Sequence, residues 1–395
     1  MNKIDFNDTE TAYEERTNGE LRSAARLFRM MRSPGWVRLG SALVHFANKL
    51  RIPIAWLVKP TLYKQFVAGE TLDESLPRLN DLKEQDVKAA PDYSAEGGRS
   101  EEDTLHIYSE TMESIRFASE HRNLVSHAVF KPGGLVTVAS LTQFAEAPET
   151  LSEEQKEEIS LFHSRFMGLC QAASDMDIPV LIDAEQYVCQ GVVDRFAEEA
   201  MRTFNKHRAI VFTTLQMYRT DRPKYLRKLY AMAEEEDLQI GIKLVRGAYM
   251  DGERRRAAEK GYPSPICANK PVTDAQYNEA VRFILAHIDR FSLFCGTHNE
   301  ESCLLVANEM ERAGLAPSDA RVTLAQLYGM GDYISFNLAK AGYNVTKYVP
   351  YGPVRKVMPY LLRRTTENSS MSGQTPRELS LIRKELKRRR TEKEA

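Results

Sequence analysis

Residues 179–245 read PVLIDAEQYVCQGVVDRFAEEAMRTFNKHRAIVFTTLQMYRTDRPKYLRKLYAMAEEEDLQIGIKLV. Three short apolar or β-branched runs stand out in it: Pro179–Asp183, Ile210–Gln216 and Gln239–Val245. Each closes on or near a polar residue, and an amphipathic helical stretch poor in Gly and Pro separates it from the next. Strand, helix, strand at this spacing predicts parallel strands joined by crossover helices. The pattern extends outward. Further strands are predicted at His127–Lys131, Leu293–His298, Val322–Leu327 and Val345–Val349, with helices such as Ser152–Met176 and Ser302–Ala313 between them. A weaker strand over Asp86–Asp92 brings the number to eight. Its Pro91 counts against it, because proline removes a ladder donor. Eight such units predict an α/β fold, a (β/α)8 barrel.

The flanks differ from the barrel. Up to about residue 69 the chain reads as helical, with Arg22, Arg26, Arg29, Arg32, Arg38, Lys49, Arg51 and Lys59 interleaved with Leu27, Phe28, Trp36, Phe46, Trp56 and Leu57. Two readings fit: an accessory helical layer packed on the main domain, or a peripheral contact with an anionic membrane surface. The expected division is 1–69 for this region, 70–372 for the barrel and 373–395 for a basic tail, read as a solvated, frayed helix.

Composition narrows the function classes. With 43% hydrophobic and 28% charged residues the chain is ordinary for a globular protein. A net charge of −1 argues against nucleic acid as a partner. Cys170, Cys189, Cys267, Cys295 and Cys303 form no CxxC pair and point to reduced thiols in a cytoplasmic setting, with no zinc site. No apolar stretch reaches the roughly 20 residues of a membrane span. The acidic first residues do not fit a signal or transit peptide. GxGxxG after a strand, GxxxxGK[ST], HExxH and GxSxG are all missing, which disfavours a Rossmann site, a P-loop kinase and a serine hydrolase.

Polar residues gather where a parallel barrel keeps its catalytic face, at the carboxyl ends of strands. They are Lys131, Asp183, Gln216, Lys243, Thr297, His298 and Tyr348. Asp183 could be a helix N-cap, or with Glu185 and a lysine part of a polar network around an amine. His298 fits a structural role or a cofactor contact equally. Arg363 and Arg364, adjacent on a predicted helix, point about 100° apart. They suit a carboxylate, which accepts forked hydrogen bonds, or else a surface pair bonded to Glu367.

LIDAEQ (181–186), TTLQMYRTD (213–221), GIKLVRGAYMDGER (241–254), GTHNEES (296–302), QLYGMGD (326–332) and KYVPYGPVRKVMPYLLRRTTENSS (347–370) occur in this order. Together they resemble the proline dehydrogenase family, over roughly residues 85–372. KLVRGAY with GYPSPI looks like its monofunctional, mitochondrial-type branch.

The resemblance implies a distorted (β/α)8 (TIM-like) barrel whose last helix lies over the barrel mouth. It also implies FAD-dependent oxidation of L-proline to Δ1-pyrroline-5-carboxylate, by hydride transfer to flavin N5, with a membrane quinone as acceptor. A pyrroline-5-carboxylate dehydrogenase would be a partner, and peripheral attachment to the inner membrane face would fit. By the same resemblance Asp183 and Lys243 are catalytic. Lys131, Arg363, Arg364, Tyr348, Leu327, Tyr249 and Glu367 bind or line the substrate. Ala184, Gln216, Lys243, Arg246, Gly247, Ala248, Thr297 and His298 hold the flavin.

Three positions depart from the family pattern. Lys243 replaces an arginine common in bacterial members, Met250 stands where some have tryptophan, and DYSAEG (92–97) replaces DYSVEG. Competing functions are a Schiff-base aldolase or lyase using Lys131, a binding-only barrel, and, within the family, a hydroxyproline dehydrogenase.

Overall fold

The computed structural model describes residues 4–33, 35, 55–94, 100–370 and 374–394, without the side chains of 55, 57, 366–370 and 374. All of Trp36–Ile54, part of the expected accessory region, and the Ala95–Gly97 part of DYSAEG lie outside these residues.

Eight parallel strands form one sheet, a nearly closed TIM-like barrel with helices around it. They are β1 (Val87–Tyr93), β2 (Ala128–Phe130), β3 (Val180–Ile182), β4 (Val211–Gln216), β5 (Ile240–Val245), β6 (Phe291–Gly296), β7 (Val322–Leu327) and β8 (Val345–Tyr351). The order is β1-β8-β7-β6-β5-β4-β3-β2. All eight expected strands are present, Pro91 included; it sits opposite Val349. The chain divides into two compact units, one of residues 97–325 and one of residues 1–96 with 326–395.

The first unit holds β2 to β6 and most of β7. Its strands are buried on both faces, as parallel strands covered by helices must be. Register runs Val180↔Val211, Thr213↔Ile242, Ile242↔Leu293 and Leu293↔Val322. The crossover helices are α5 (Glu101–Glu120), α6 (Val138–Glu146), α7 (Glu153–Asp175), α8 (Tyr187–Phe204), α9 (Arg222–Glu236), α10 (Met250–Lys260), α11 (Lys270–Ala286) and α12 (Glu300–Arg312). Helix α7 begins where its capping box predicts: Ser152 accepts from Gln155 N–H while the Gln155 side chain accepts from Ser152 N–H. Its Phe162 and Phe166 close the core, with Phe166 edge-on to Phe130 of β2 at 5.1 Å between centroids.

The second unit contains β1 and β8, paired from Val87↔Val345 to Tyr93↔Tyr351. Its helices are α1 (Thr9–Tyr13), α2 (Asn18–Met31), α3 (residues 55–66, with a π-helical turn at Lys59–Tyr63), α4 (Leu72–Glu84), α13 (Asp332–Lys340), α14 (Val354–Ser370) and α15 (Gln374–Glu394). Helix α2 buries Leu21, Ala24, Ala25, Phe28 and Met31, and leaves Arg22, Arg26, Arg29 and Arg32 in solvent.

The C-terminal residues are not the solvated helix expected of a basic tail. Leu379, Leu381, Ile382 and Glu385 of α15 are buried. Arg389 of α15 donates to the carbonyls of Tyr13 and Arg16, each at 2.6 Å. The charges hid an apolar stripe at helical spacing.

Candidate active site

At the carboxyl ends of β2, β3 and β5, three charged side chains converge within the 97–325 unit. Lys131 follows β2 directly, Asp183 follows β3, and Lys243 is the fourth residue of β5. The Asp183 amide donates to Phe130 O at 2.9 Å, which locks the two strand ends together. Asp183 Oδ1 accepts from Lys243 Nζ at 2.5 Å, and its Oδ2 lies 3.6 Å from Lys131 Nζ. One carboxylate thus bridges two ammonium groups. The three side chains are only 9–20% exposed. Burying charge this far is costly unless it is paired, and here a single carboxylate serves two cations.

Glu185 ties two loops together. Its Oε1 accepts from Gly133 N–H at 2.7 Å, and its own N–H donates to Gln190 Oε1 at 2.6 Å. A Cβ on Gly133 would meet the Glu185 carboxylate at 2.8 Å, so a larger residue there would push this carboxylate aside. The loop after Lys131 is thereby fixed to the loop after Asp183.

On the next strands, Gln216 ends β4 and is buried, and its Oε1 has no hydrogen-bond partner among the described residues. Arg246 follows β5 and is held from three sides. Its Nε donates to Asp274 Oδ1 at 2.6 Å, Nη1 to Thr297 Oγ1 at 2.8 Å and Nη2 to Ser302 Oγ at 3.0 Å. Burial would raise the Asp274 carboxyl; hydrogen bonds from Lys270 and Arg246 outweigh that and hold it below the usual range. Gly247 has φ of +130°, and a Cβ there would run into the Tyr218 ring. Gly247 and Ala248 stay exposed, a bare backbone ledge beside the strand ends. Tyr249 caps α10, while Thr297 and His298 continue β6. Ala184 lies between Asp183 and Glu185 in the loop after β3.

The remaining expected residues belong to the other unit. Leu327 ends β7 and Tyr348 is the fourth residue of the seven-residue β8, mid-strand and not at the strand end expected of it; the Tyr328 amide donates to Tyr348 O at 2.9 Å, which joins the end of β7 to the middle of β8. Arg363 and Arg364 lie in the middle of α14, partly buried, and the Arg364 guanidinium stands over the Tyr360 ring one turn back, 5.4 Å from its centroid. Glu367 is in the same helix, its side chain outside the described residues. Sequence reading missed Asp274, Ser302 and Tyr218. Asp274 lies 28 positions beyond Arg246, on a helix of its own, and no local pattern connects them.

A sequence model of proline dehydrogenase matches residues 75–377. The chain belongs to the proline dehydrogenase family. It is an oxidoreductase of proline catabolism by that membership. A relative from Pectobacterium carotovorum subsp. carotovorum, named carbapenem antibiotics biosynthesis protein CarD, is 36% identical over 82% of this chain and 83% of its own. Mitochondrial proline dehydrogenase 1 of Arabidopsis thaliana is 31% identical over 87% of this chain and 77% of its own, in line with the mitochondrial-type resemblance. Among solved structures, proline utilization A (PutA) from Bdellovibrio bacteriovorus, inactivated by N-propargylglycine, superposes with a TM-score of 0.71 at 20% identity. That likeness covers 93% of this chain and 38% of the PutA chain, and it supports the fold.

Proposed function

We propose that this proline dehydrogenase uses FAD to oxidise L-proline to Δ1-pyrroline-5-carboxylate, with hydride transfer to flavin N5 and a quinone as final acceptor. The observation that carries the reading is the Lys131–Asp183–Lys243 array at the strand ends. Asp183 lies against both ammonium groups, and an array held this way would present Lys131 to a substrate carboxylate with little reorganisation. By the family resemblance, Arg363 and Arg364 would offer forked donors to the substrate carboxylate, with Tyr249 and Glu367 in support. Leu327 and Tyr348 line the space for the ring.

The residues present fit a flavin. The unpartnered Gln216 Oε1 is a buried acceptor available to a donor on the ring system, and the Gly247–Ala248 ledge leaves backbone open to close approach. Ala184, Gln216, Lys243, Arg246, Gly247, Ala248, Thr297 and His298 would hold it. When bound, the flavin supplies the electron sink; the protein supplies orientation and charge. Asp183 and Lys243 act at the reacting centre, keeping opposite charges fixed beside it, and no side chain needs to take a proton if the amine enters neutral.

The three parts 1–69, 70–372 and 373–395 would serve as accessory layer, catalytic barrel and C-terminal support. No described helix is long and apolar enough to cross a membrane. The outward arginines of α2 would instead bring a cytoplasmic enzyme against the anionic inner membrane face, where a quinone is available. A pyrroline-5-carboxylate dehydrogenase would take the product. The decisive experiment is an absorbance spectrum of the purified protein before and after anaerobic L-proline. Visible flavin bands that bleach on addition support the reading. A colourless protein removes FAD, and bands indifferent to proline remove the substrate.

A further inference from the structure

Behind the strand that carries Tyr348 lies a buried charge cluster that the proposed chemistry does not use. Lys347 of β8 has no exposed side-chain surface; its Nζ donates to Met330 O at 2.6 Å and pairs with Asp332 Oδ1 at 2.9 Å. Asp332 Oδ2 accepts from Arg16 Nη2, also at 2.9 Å. The C-terminal helix adds Glu378, which is buried; its Oε2 accepts from the Gly331 amide at 2.9 Å and its Oε1 faces the Tyr13 hydroxyl at 3.5 Å. Gly331 has φ of +63° and opens α13, so this amide sits at the helix N-terminus. Met330 and Gly331 belong to the turn that begins at Leu327, the end of β7, and the Met330 amide bonds back to Leu327 O at 3.3 Å. Glu378 therefore joins the last helix of the chain to the turn between β7 and α13. That turn carries one residue assigned to the substrate, and Lys347 precedes another.

We propose that Glu378 is a positioning residue: its carboxyl makes the C-terminal helix a clamp on the Leu327–Gly331 turn, and ionisation of that carboxyl loosens the clamp. The consequence for substrate rests on the assignment of Leu327 and Tyr348 given above; the clamp itself does not. The groups facing Glu378 are Tyr13 from α1, Arg16 in the loop before α2, Glu20 in the first turn of α2, Asp332 from α13 and Lys347 from β8; Tyr328 acts on Arg16 and Asp332, and the adjacent Arg377 lies over the Tyr333 ring. Burial and then the Asp332 charge raise the Glu378 carboxyl to about 7, against the Gly331 hydrogen bond and the two cations. Burial would raise Asp332 too, but Lys347 and Arg16 outweigh it and hold that carboxyl at about 2. Glu20 is held low despite some burial, by the Thr17 hydrogen bonds, and burial pushes the Tyr13 and Tyr328 phenols up. Glu378 is then the carboxyl of this set that changes charge near neutrality. Its pKa is higher packed than solvated, so its contribution is complete below the ordinary glutamate range and is lost as pH rises through about 7.

Hydrogen–deuterium exchange of the whole protein between pH 5 and 8, corrected for intrinsic rates, tests this. In the parent, protection of peptides covering 327–331 and 374–382 should fall by up to about tenfold per pH unit between pH 5 and 7, then level off. Glu378→Gln keeps an acceptor for Gly331 N–H and removes the titration, so its protection should be flat across the range. Glu378→Ala should lower protection at every pH. If Glu378→Gln retains the parent's slope, or if neither variant alters exchange in 327–331, the clamp is wrong. KM for L-proline is measured on the same samples. Exchange that behaves as expected with a KM equal to the parent's upholds the clamp and removes Leu327 and Tyr348 from the substrate site instead.

Discussion

Asp183 shows what a residue gains from its neighbours. A lone aspartate after a strand is an ordinary helix cap; the same aspartate between Lys131 and Lys243 sets the charge of a site. Arg363 and Arg364 stand in the middle of α14, where a surface pair would cost nothing to lose, yet both are partly buried. Arg363→Met and Arg364→Met should each raise KM for proline by at least about tenfold, because a charge-assisted hydrogen bond is worth about 1.5–3 kcal/mol. Flavin content, read from the visible spectrum, should change little. Both variants binding proline like the parent would end the carboxylate-clamp assignment. Tyr348 is almost fully buried in the middle of β8. If its ring walls the substrate space, an added hydroxyl overpacks it at about 1–3 kcal/mol, and L-proline should be preferred over trans-4-hydroxy-L-proline by at least about tenfold in kcat/KM. Tyr348→Ser should narrow that ratio, mainly by weakening proline. A variant that loses only thermal stability, with its ratio intact, would make Tyr348 a core residue.

At the scale of elements, the strands were readable because a parallel strand covered on both faces is a continuous apolar run. The helices were readable where caps and periodicity agreed, as at Ser152 and Gln155. The glycines separate by what surrounds them. Gly247, in a positive-φ turn against Tyr218, tolerates no Cβ, so Gly247→Ala should cost about 1–3 kcal/mol in backbone strain, with the clash added to it. Urea unfolding will measure this, and a stability equal to the parent's would contradict the contact. Gly191, inside α8 with nothing within 4 Å of its missing Cβ, should do the opposite. Gly191→Ala should stabilise by about 0.5–1 kcal/mol in the same experiment, through helix propensity alone.

For the whole molecule, a net charge of −1 conceals an uneven surface. Phe28 and Leu21 of α2 are core residues, so deleting the helix would test stability more than membrane contact. Reversing its outward charge is the cleaner experiment. Replacing Arg22, Arg26 and Arg29 by Gln should weaken binding to anionic vesicles by about a hundredfold at low salt, at about 1 kcal/mol per cation, while proline–dye activity persists. Undiminished vesicle binding would leave α2 as an accessory layer only. Much of the protein was legible without coordinates. The eight strands, the polar residues at their carboxyl ends and the family motifs are local in sequence, since each depends on burial pattern or on a contiguous run. The C-terminal helix, read as a solvated tail, was hidden because seven cations between 377 and 390 mask an apolar stripe that matters only once something packs on it. The Arg246–Asp274 bond, the Gly247–Tyr218 contact and the Lys131–Asp183–Lys243 bridge join residues dozens of positions apart. Sequence by itself determined which strands and which polar side chains this barrel would have; tertiary structure alone decided which of them face one another, because charge pairing and close packing act through space over a few ångströms and leave no periodic trace along the chain.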